Sequence, residues 1–253
     1  MTSPRLVFLI GGSDAYEAMA DEFLAAAGGP AARIALLLQD GERLPQRLEH
    51  YSEPWLRRGI TSIRPVFPGP DGLLDLERTA EILQWTTGIF IGGGNTPLYH
   101  RLYATGAGGA LNRARYRQGV PIAGVSAGAM VVMEHCVLEP METPDKTLQV
   151  VPGLGLVRNL VIGVHFTEQN ALPGMIEAMA RTRTRRGLGI DDGACAVFDR
   201  GRFAGVLGRV VYEIEMQDFE QRVYSTAECK QEFKGGWKSR PTADQGGMKH
   251  AGI

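Results

Sequence analysis

The chain has 253 residues, 44% of them hydrophobic, and its 27 Lys and Arg against 28 Asp and Glu leave a net charge of −1. That composition supports a full core and excludes a largely disordered chain. The charge balance argues against a general nucleic-acid binder or a polybasic membrane protein. Cys136, Cys195 and Cys229 form no C-x-x-C pair, so no disulfide framework is implied and a reducing cytoplasm fits. No segment approaches the roughly 18 apolar residues needed to span a bilayer. The run Leu6 to Ile10 is too short for a signal-peptide core.

Arg5–Ile10 reads as a first buried strand, and Gly11-Gly12-Ser13-Asp14 turns it into a helix that ends near Gly28-Gly29-Pro30. Arg33–Leu38 is the next apolar run, followed by a polar helical stretch through Arg58. Thr61–Phe67 is β-branched and apolar, Leu73–Trp85 reads as a helix, and Thr87–Ile91 and Val120–Val125 read as buried strands. Alternation of this kind predicts an α/β protein: a three-layer sandwich whose central sheet is mostly parallel. Past Leu160 the pattern changes. Val161–Val164 is strand-like and Ala171–Arg186 helical. Leu188–Ile190, Ala194–Phe198, Arg202–Leu207 and Val210–Glu215 are short runs that suggest hairpins near the C-terminus. One domain over residues 1–228 and a flexible tail over 229–253 are the expected organisation.

Three loops carry the chemistry. Gly124-Val125-Ser126-Ala127-Gly128 follows a buried strand and precedes the helical run Ala129–His135. This is the strand–turn–helix setting of a nucleophile elbow. Small neighbours let the turn push Ser126 Oγ above the sheet, and the Ala127 N–H is left at a helix N-terminus for an oxyanion. Gly92-Gly93-Gly94-Asn95-Thr96-Pro97 also follows a strand. Thr96 suits a helix N-cap and Pro97 the first turn. Bare glycine backbone there can supply the second half of an oxyanion hole, with Asn95 orienting a substrate. The stretch matches neither G-x-G-x-x-G nor a Walker motif, which speaks against a nucleotide. His165, at a third strand end, is the candidate general base. His50 and His100 fall on expected helices, His135 ends one, and His250 lies in the tail.

These three motifs, in this order, resemble the serine peptidase family of dipeptidase E and cyanophycinase. Thirty-three residues separate Gly93 from Ser126, and 39 separate Ser126 from His165. The resemblance runs from about Arg5 to Glu215 and includes Asn170-Ala171-Leu172-Pro173. It implies a class I glutamine amidotransferase-like (flavodoxin-like) fold, with serine where those enzymes carry cysteine. It further implies Ser126 as nucleophile, His165 as base, and an oxyanion hole from Gly93 or Gly94 with Ala127. No metal or organic cofactor is expected, and a homodimer is allowed.

A catalytic base needs a carboxylate to fix its tautomer. The family has an acidic residue at a site like Asp191-Asp192, so the resemblance favours Asp192, with Asp191 close behind, although either could serve only the turn before Gly193. Glu139, Glu142 and Asp145 are the other candidates. Among Arg181, Arg183, Arg185 and Arg186, counting from Asn170 makes Arg181 the match to the family's substrate-binding arginine, while a solvated basic face accounts for at least two of the four. On a helix, Arg181 and Arg185 would share a face. The resulting expectation is a cytoplasmic serine exopeptidase acting on short peptides, a dipeptidase preferring an N-terminal Asp. The alternatives are cyanophycinase-like cleavage of β-linked Asp-Arg units, or a non-catalytic binding module of the same fold.

Overall fold

Residues 4–40 and 43–234 are described by a computed structural model. The elements, in chain order, are β1 (Leu6–Ile10), α1 (Tyr16–Ala26), β2 (Ile34–Leu37), α2 (Leu44–Leu56), β3 (Ile63–Val66), α3 (Leu76–Trp85) and β4 (Gly88–Ile91). Next come α4 (Thr96–Tyr99), α5 (Gly106–Arg117), β5 (Ile122–Val125), α6 (Ala127–Val132), β6 (His135–Leu138), β7 (Gln149–Pro152) and β8 (Val161–Val164). The chain continues with α7 (Leu172–Thr182), β9 (Arg186–Ile190), β10 (Ala194–Asp199), β11 (Arg202–Gly208), β12 (Val211–Asp218) and β13 (Val223–Cys229).

The apolar runs of the sequence become a seven-stranded sheet ordered β11-β10-β1-β5-β4-β2-β3. β1, β5, β4, β2 and β3 pair in parallel, while β10 and β11 add antiparallel strands at one edge. Every residue of β1 is buried, as a strand covered on both faces requires. Leu6, Phe8 and Ile10 pack under α1 and α2 with Phe23 and Trp55. Val7 and Leu9 face the opposite layer, with Leu83, Tyr103 and Ile122. Each such side chain contributes about 1.5–3 kcal/mol of burial free energy, an upper bound for a compact unfolded chain. α3 shows how local chemistry sets an element. Asp75 caps it by accepting the Arg78 N–H at 3.0 Å, and Thr79, Ile82 and Leu83 bury one face at helical spacing.

A second sheet, β13-β12-β9-β8, packs its β8 and β9 against α7. The expected hairpin at Asp199-Arg200-Gly201 is present, with Arg200 at φ 51° and Gly201 at φ 74°. This left-handed pair suits a two-residue β-turn.

Four sequence expectations change. α7 stops at Thr182 because Arg183 turns left-handed at φ 55°; Arg186 then opens β9, so Arg181 and Arg185 share no helix face. α6 is only six residues long, and His135 begins β6 instead of ending a helix. α5, the β6–β7 hairpin and β13 have no counterpart in the expected elements. Cys229 closes β13, and Gln231 and Phe233 hydrogen-bond to Val206 of β11, so residues 229–234 line sheet edges and form no tail. The remainder of the expected tail, 235–253, lies outside the described residues. No helix among the described residues is long and apolar enough to cross a membrane.

Candidate active site

β4 and β5 are neighbours, with Ile91 beside Gly124, so the loops that follow them meet at one end of the sheet. The turn after β5 is tight for a steric reason. A Cβ on Gly124 would lie 2.3 Å from the Gly128 carbonyl oxygen, and one on Gly128 would lie 2.3 Å from that of Ile91. Only hydrogen fits at either place. Between them Ser126 is forced to φ 52° and ψ −116°. A non-glycine residue held there stores about 1–3 kcal/mol of strain. Its surroundings hold it. The Ser126 N–H donates to the Ile10 carbonyl at 3.0 Å, and its own carbonyl accepts from Ala129 and Met130.

His165 follows β8, itself at φ 48°. Its Nε2 stands 2.8 Å from Ser126 Oγ. Its Nδ1 meets Asp192 Oδ1. An ionised carboxylate can only accept, so the ring proton sits on Nδ1 and the Nε2 lone pair faces the serine hydroxyl. The side chains of His165 and Asp192 are 21% and 32% exposed, which leaves the row open to a substrate at its rim. Asp192 leans over Gly12 so closely that a Cβ there would meet Oδ1 at 2.4 Å. The Asp192 N–H donates to Glu168 Oε1 at 3.3 Å.

The other acid candidates are engaged elsewhere. Buried Asp191 accepts the Thr167 N–H at 2.9 Å and so braces the loop that carries His165. Glu142 accepts the Thr96 N–H at 2.8 Å. Asp145 is held by Thr147 and Gln149 in its own loop. Glu139 lies against Gly174, and burial followed by the like charge of Glu142 pushes its carboxyl above the ordinary value. None of the four is bonded to His165.

The glycine loop passes directly beside the serine. A Cβ on Gly93 would come within 3.3 Å of Ser126 Cβ. Its N–H is not open, because it donates to Tyr51 Oη at 2.8 Å. Of the three expected oxyanion donors, Gly94 and Ala127 N–H have no acceptor among the described residues. Gly94 sits at φ 147°, and a Cβ there would strike Gln39 Oε1 at 2.2 Å. The N-cap of α4 is Asn95, not Thr96: its Oδ1 accepts the Leu98 N–H at 2.9 Å, and Thr96 is buried. Asn95 is exposed, and its amide nitrogen remains free to donate to a ligand.

None of the bonds that Arg181 makes among the described residues is to this row. Arg181 lies in the last turn of α7, about 13 Å along the axis from Leu172. There its Nε donates to Glu177 at 2.8 Å and a guanidinium nitrogen to the Leu148 carbonyl at 2.7 Å. Geometry thus replaces the expected carboxylate grip with a structural pair. The cation that does approach the glycine loop is Arg47, 3.3 Å from the Gly93 carbonyl and 3.2 Å from Asp40. Sequence reasoning passed over Arg47 and Tyr51. Their spacing of four on one helix was the only signal, and it did not name the loop they would meet. Among the described residues no group of three or more His, Cys, Asp or Glu is placed to hold a metal.

A strained serine on a strand-to-helix turn, a histidine within hydrogen-bond reach and an aspartate behind it define the layout of a serine hydrolase. The sequence pattern of peptidase family S51 matches residues 73–205, and the chain belongs to that family. It is 34% identical over 131 residues to a cyanophycinase of Trichormus variabilis, covering 50% of this chain and 44% of that one. It is 26% identical over 222 residues to a cyanophycinase of Synechococcus elongatus, covering 81% of this chain and 66% of that protein. The chain thus spans less than half the length of the first of these relatives. Two solved structures share the fold. A peptidase from an acI-B1 actinobacterium superposes with a TM-score of 0.61 at 17% identity, over 83% of this chain and 90% of its own. A protein of Listeria monocytogenes EGD-e described as a candidate peptidase E superposes with a TM-score of 0.56 at 14% identity, over 79% and 97%.

Proposed function

We propose that the protein is a serine peptidase that hydrolyses short peptides through an acyl-enzyme. The observation that carries this reading is the contact row Ser126 Oγ, His165 Nε2 and Nδ1, Asp192 Oδ1, built on a strained elbow. Ser126 attacks the scissile carbonyl while His165 takes its proton. Asp192 holds the imidazole in its tautomer and stabilises the imidazolium. The Ala127 N–H and a glycine-loop N–H receive the oxyanion, His165 returns the proton to the leaving amine, and water then releases the acyl group by the same route.

Two substrate classes compete. A dipeptidase preferring an N-terminal Asp needs a cation for that carboxylate, and Arg181 is engaged instead by Glu177 and the Leu148 carbonyl. Hydrolysis of β-linked Asp-Arg units is favoured by the naming of the relatives as cyanophycinases. The test is released amine from Asp-, Glu-, Arg- and Leu-leading dipeptides and from cyanophycin, with wild type and Ser126→Ala. Turnover that disappears in Ser126→Ala supports the peptidase, and the substrate cleaved selects the class. If folded wild type neither turns over nor reacts at Ser126 with a fluorophosphonate, the chain is a binding module and the reading fails. A cytoplasmic location remains part of the proposal.

A further inference from the structure

Gly92-Gly93-Gly94 is backbone that can turn its peptides over at little cost. An oxyanion donor must stand fixed before the reaction begins. Side chains from α2 and from the loop after β2 supply the restraint. The Gly93 carbonyl accepts from Tyr51 Oη at 3.1 Å and from Arg47 at 3.3 Å. The Gly93 N–H donates to the same Tyr51 oxygen. Arg47 is held in turn by Asp40, and Asp40 accepts the Gln39 amide at 3.2 Å. Gln39 Oε1 then accepts the Asn95 N–H at 2.7 Å. Both ends of the Gly93–Asn95 segment are therefore tied to one connected polar cluster. Burial pushes the Tyr51 hydroxyl above its ordinary value, so it stays protonated and able to donate. Burial works against the charge of Asp40, but the Arg43 N–H, the Gln39 amide and Arg47 outweigh it and hold the carboxyl low.

The Gly93 carbonyl and the Gly94 N–H belong to one peptide, and no cis peptide occurs among the described residues. In a trans peptide these two groups point in opposite directions. A carbonyl gripped toward α2 therefore turns the Gly94 N–H away from α2. A guanidinium on the carbonyl also polarises the amide and makes that N–H a stronger donor. We propose that Tyr51 and Arg47 are positioning residues of the reaction, which hold the Gly93 carbonyl so that the Gly94 N–H, and not that of Gly93, joins Ala127 in binding the oxyanion. This rests on the serine peptidase reading above.

The test uses the full chain and a fluorophosphonate probe, which reports on Ser126 without a known substrate. Saturation kinetics separate the maximal rate of Ser126 phosphonylation from probe affinity. Tyr51→Phe removes only the hydroxyl, Arg47→Met removes the guanidinium with its charge and its donors to the Gly93 carbonyl and Asp40 at similar length, and Arg47→Lys returns a cation. The maximal rate should fall about 10- to 100-fold in Tyr51→Phe and Arg47→Met, less than the roughly 10²- to 10³-fold lost when an oxyanion donor is removed outright. Probe affinity should stay within about two-fold and Arg47→Lys should recover part of the rate, a split that a merely structural role would not produce. If wild type is labelled at Ser126 and both variants keep its maximal rate, or lose affinity and rate together, the positioning role is refuted while the peptidase reading stands. If folded wild type is not labelled at Ser126, both fall. Should Tyr51→Phe fail to fold, the Arg47→Met and Arg47→Lys pair decides the matter by the same readout.

Discussion

Replacing Asp192 and Asp191 by Asn, one at a time, separates two adjacent carboxylates that do different work. Asp192 accepts from His165 Nδ1, which leaves the Nε2 lone pair facing Ser126 Oγ at 2.8 Å. In Asp192→Asn the new side-chain amide can present an N–H to Nδ1, so the ring proton moves to Nε2 and points at the serine. General-base assistance is then lost, together with the charge that stabilises the imidazolium. In a Ser-His-Asp triad of known geometry this change costs about 10⁴ in rate, or roughly 5.4 kcal/mol at 1.36 kcal/mol per decade. Asp191→Asn keeps Oδ1, and with it the bond to the Thr167 N–H at 2.9 Å. It gives up the charge-assisted part of that bond and the charge beside the Tyr212 hydroxyl, on the order of 1 kcal/mol, or about five-fold. The assay is the maximal rate of fluorophosphonate labelling at Ser126, with thermal melts to confirm folding. The expected ratio between the variants is therefore about 10³. Equal losses, or a larger loss in Asp191→Asn, would refute the assignment of Asp192 as the partner of His165.

Gly94→Ala places a Cβ 2.2 Å from Gln39 Oε1 at φ 147°. It should lower the labelling rate at least about ten-fold; a rate equal to wild type would show that the loop takes no part. The Glu139 carboxyl is raised by burial and then by Glu142, so the native state binds more protons across that window and its stability falls as pH rises through it. Glu139→Gln should therefore gain stability over wild type near pH 7 and gain none well below the carboxylate range; urea melts that show the same difference at both pH values contradict this. The Glu177 carboxyl is held low first by Arg181 and then by Arg222. Arg181→Ala should lose less than about 1 kcal/mol at neutral pH, as exposed pairs do, and the loss should narrow in acid as Glu177 protonates, leaving the part due to the Leu148 carbonyl; a loss that grows in acid would contradict the pairing. Cys136 and Cys195 are buried, which pushes their thiols up, whereas Cys229 is half-buried. Iodoacetamide on the native protein, read by mass spectrometry, should reach Cys229 alone among the three.

The strand runs, the elbow Gly124–Gly128, the glycine loop and His165 were legible in the sequence because each is a local device. A buried parallel strand must be apolar throughout, and a turn where an added Cβ would lie 2.3 Å from a carbonyl oxygen must use glycine there. Other features were settled only by tertiary contacts. Asp191 and Asp192 are adjacent in the chain, and which one meets His165 depends on the path of the turn over Gly12. Arg181 matched a family position by counting, yet α7 directs it to Glu177 and Leu148. The end of α7 at Arg183 came from a left-handed residue that helical periodicity does not signal. Tyr51 and Arg47 read as ordinary helix residues until α2 is laid beside the glycine loop, more than 40 residues away in the chain. The sequence by itself determined which backbone can make the elbow and which side chains can exchange a proton. Only the packed structure decided which carboxylate and which cation stand beside them, because those contacts join segments whose separation along the chain carries no information about their distance in space.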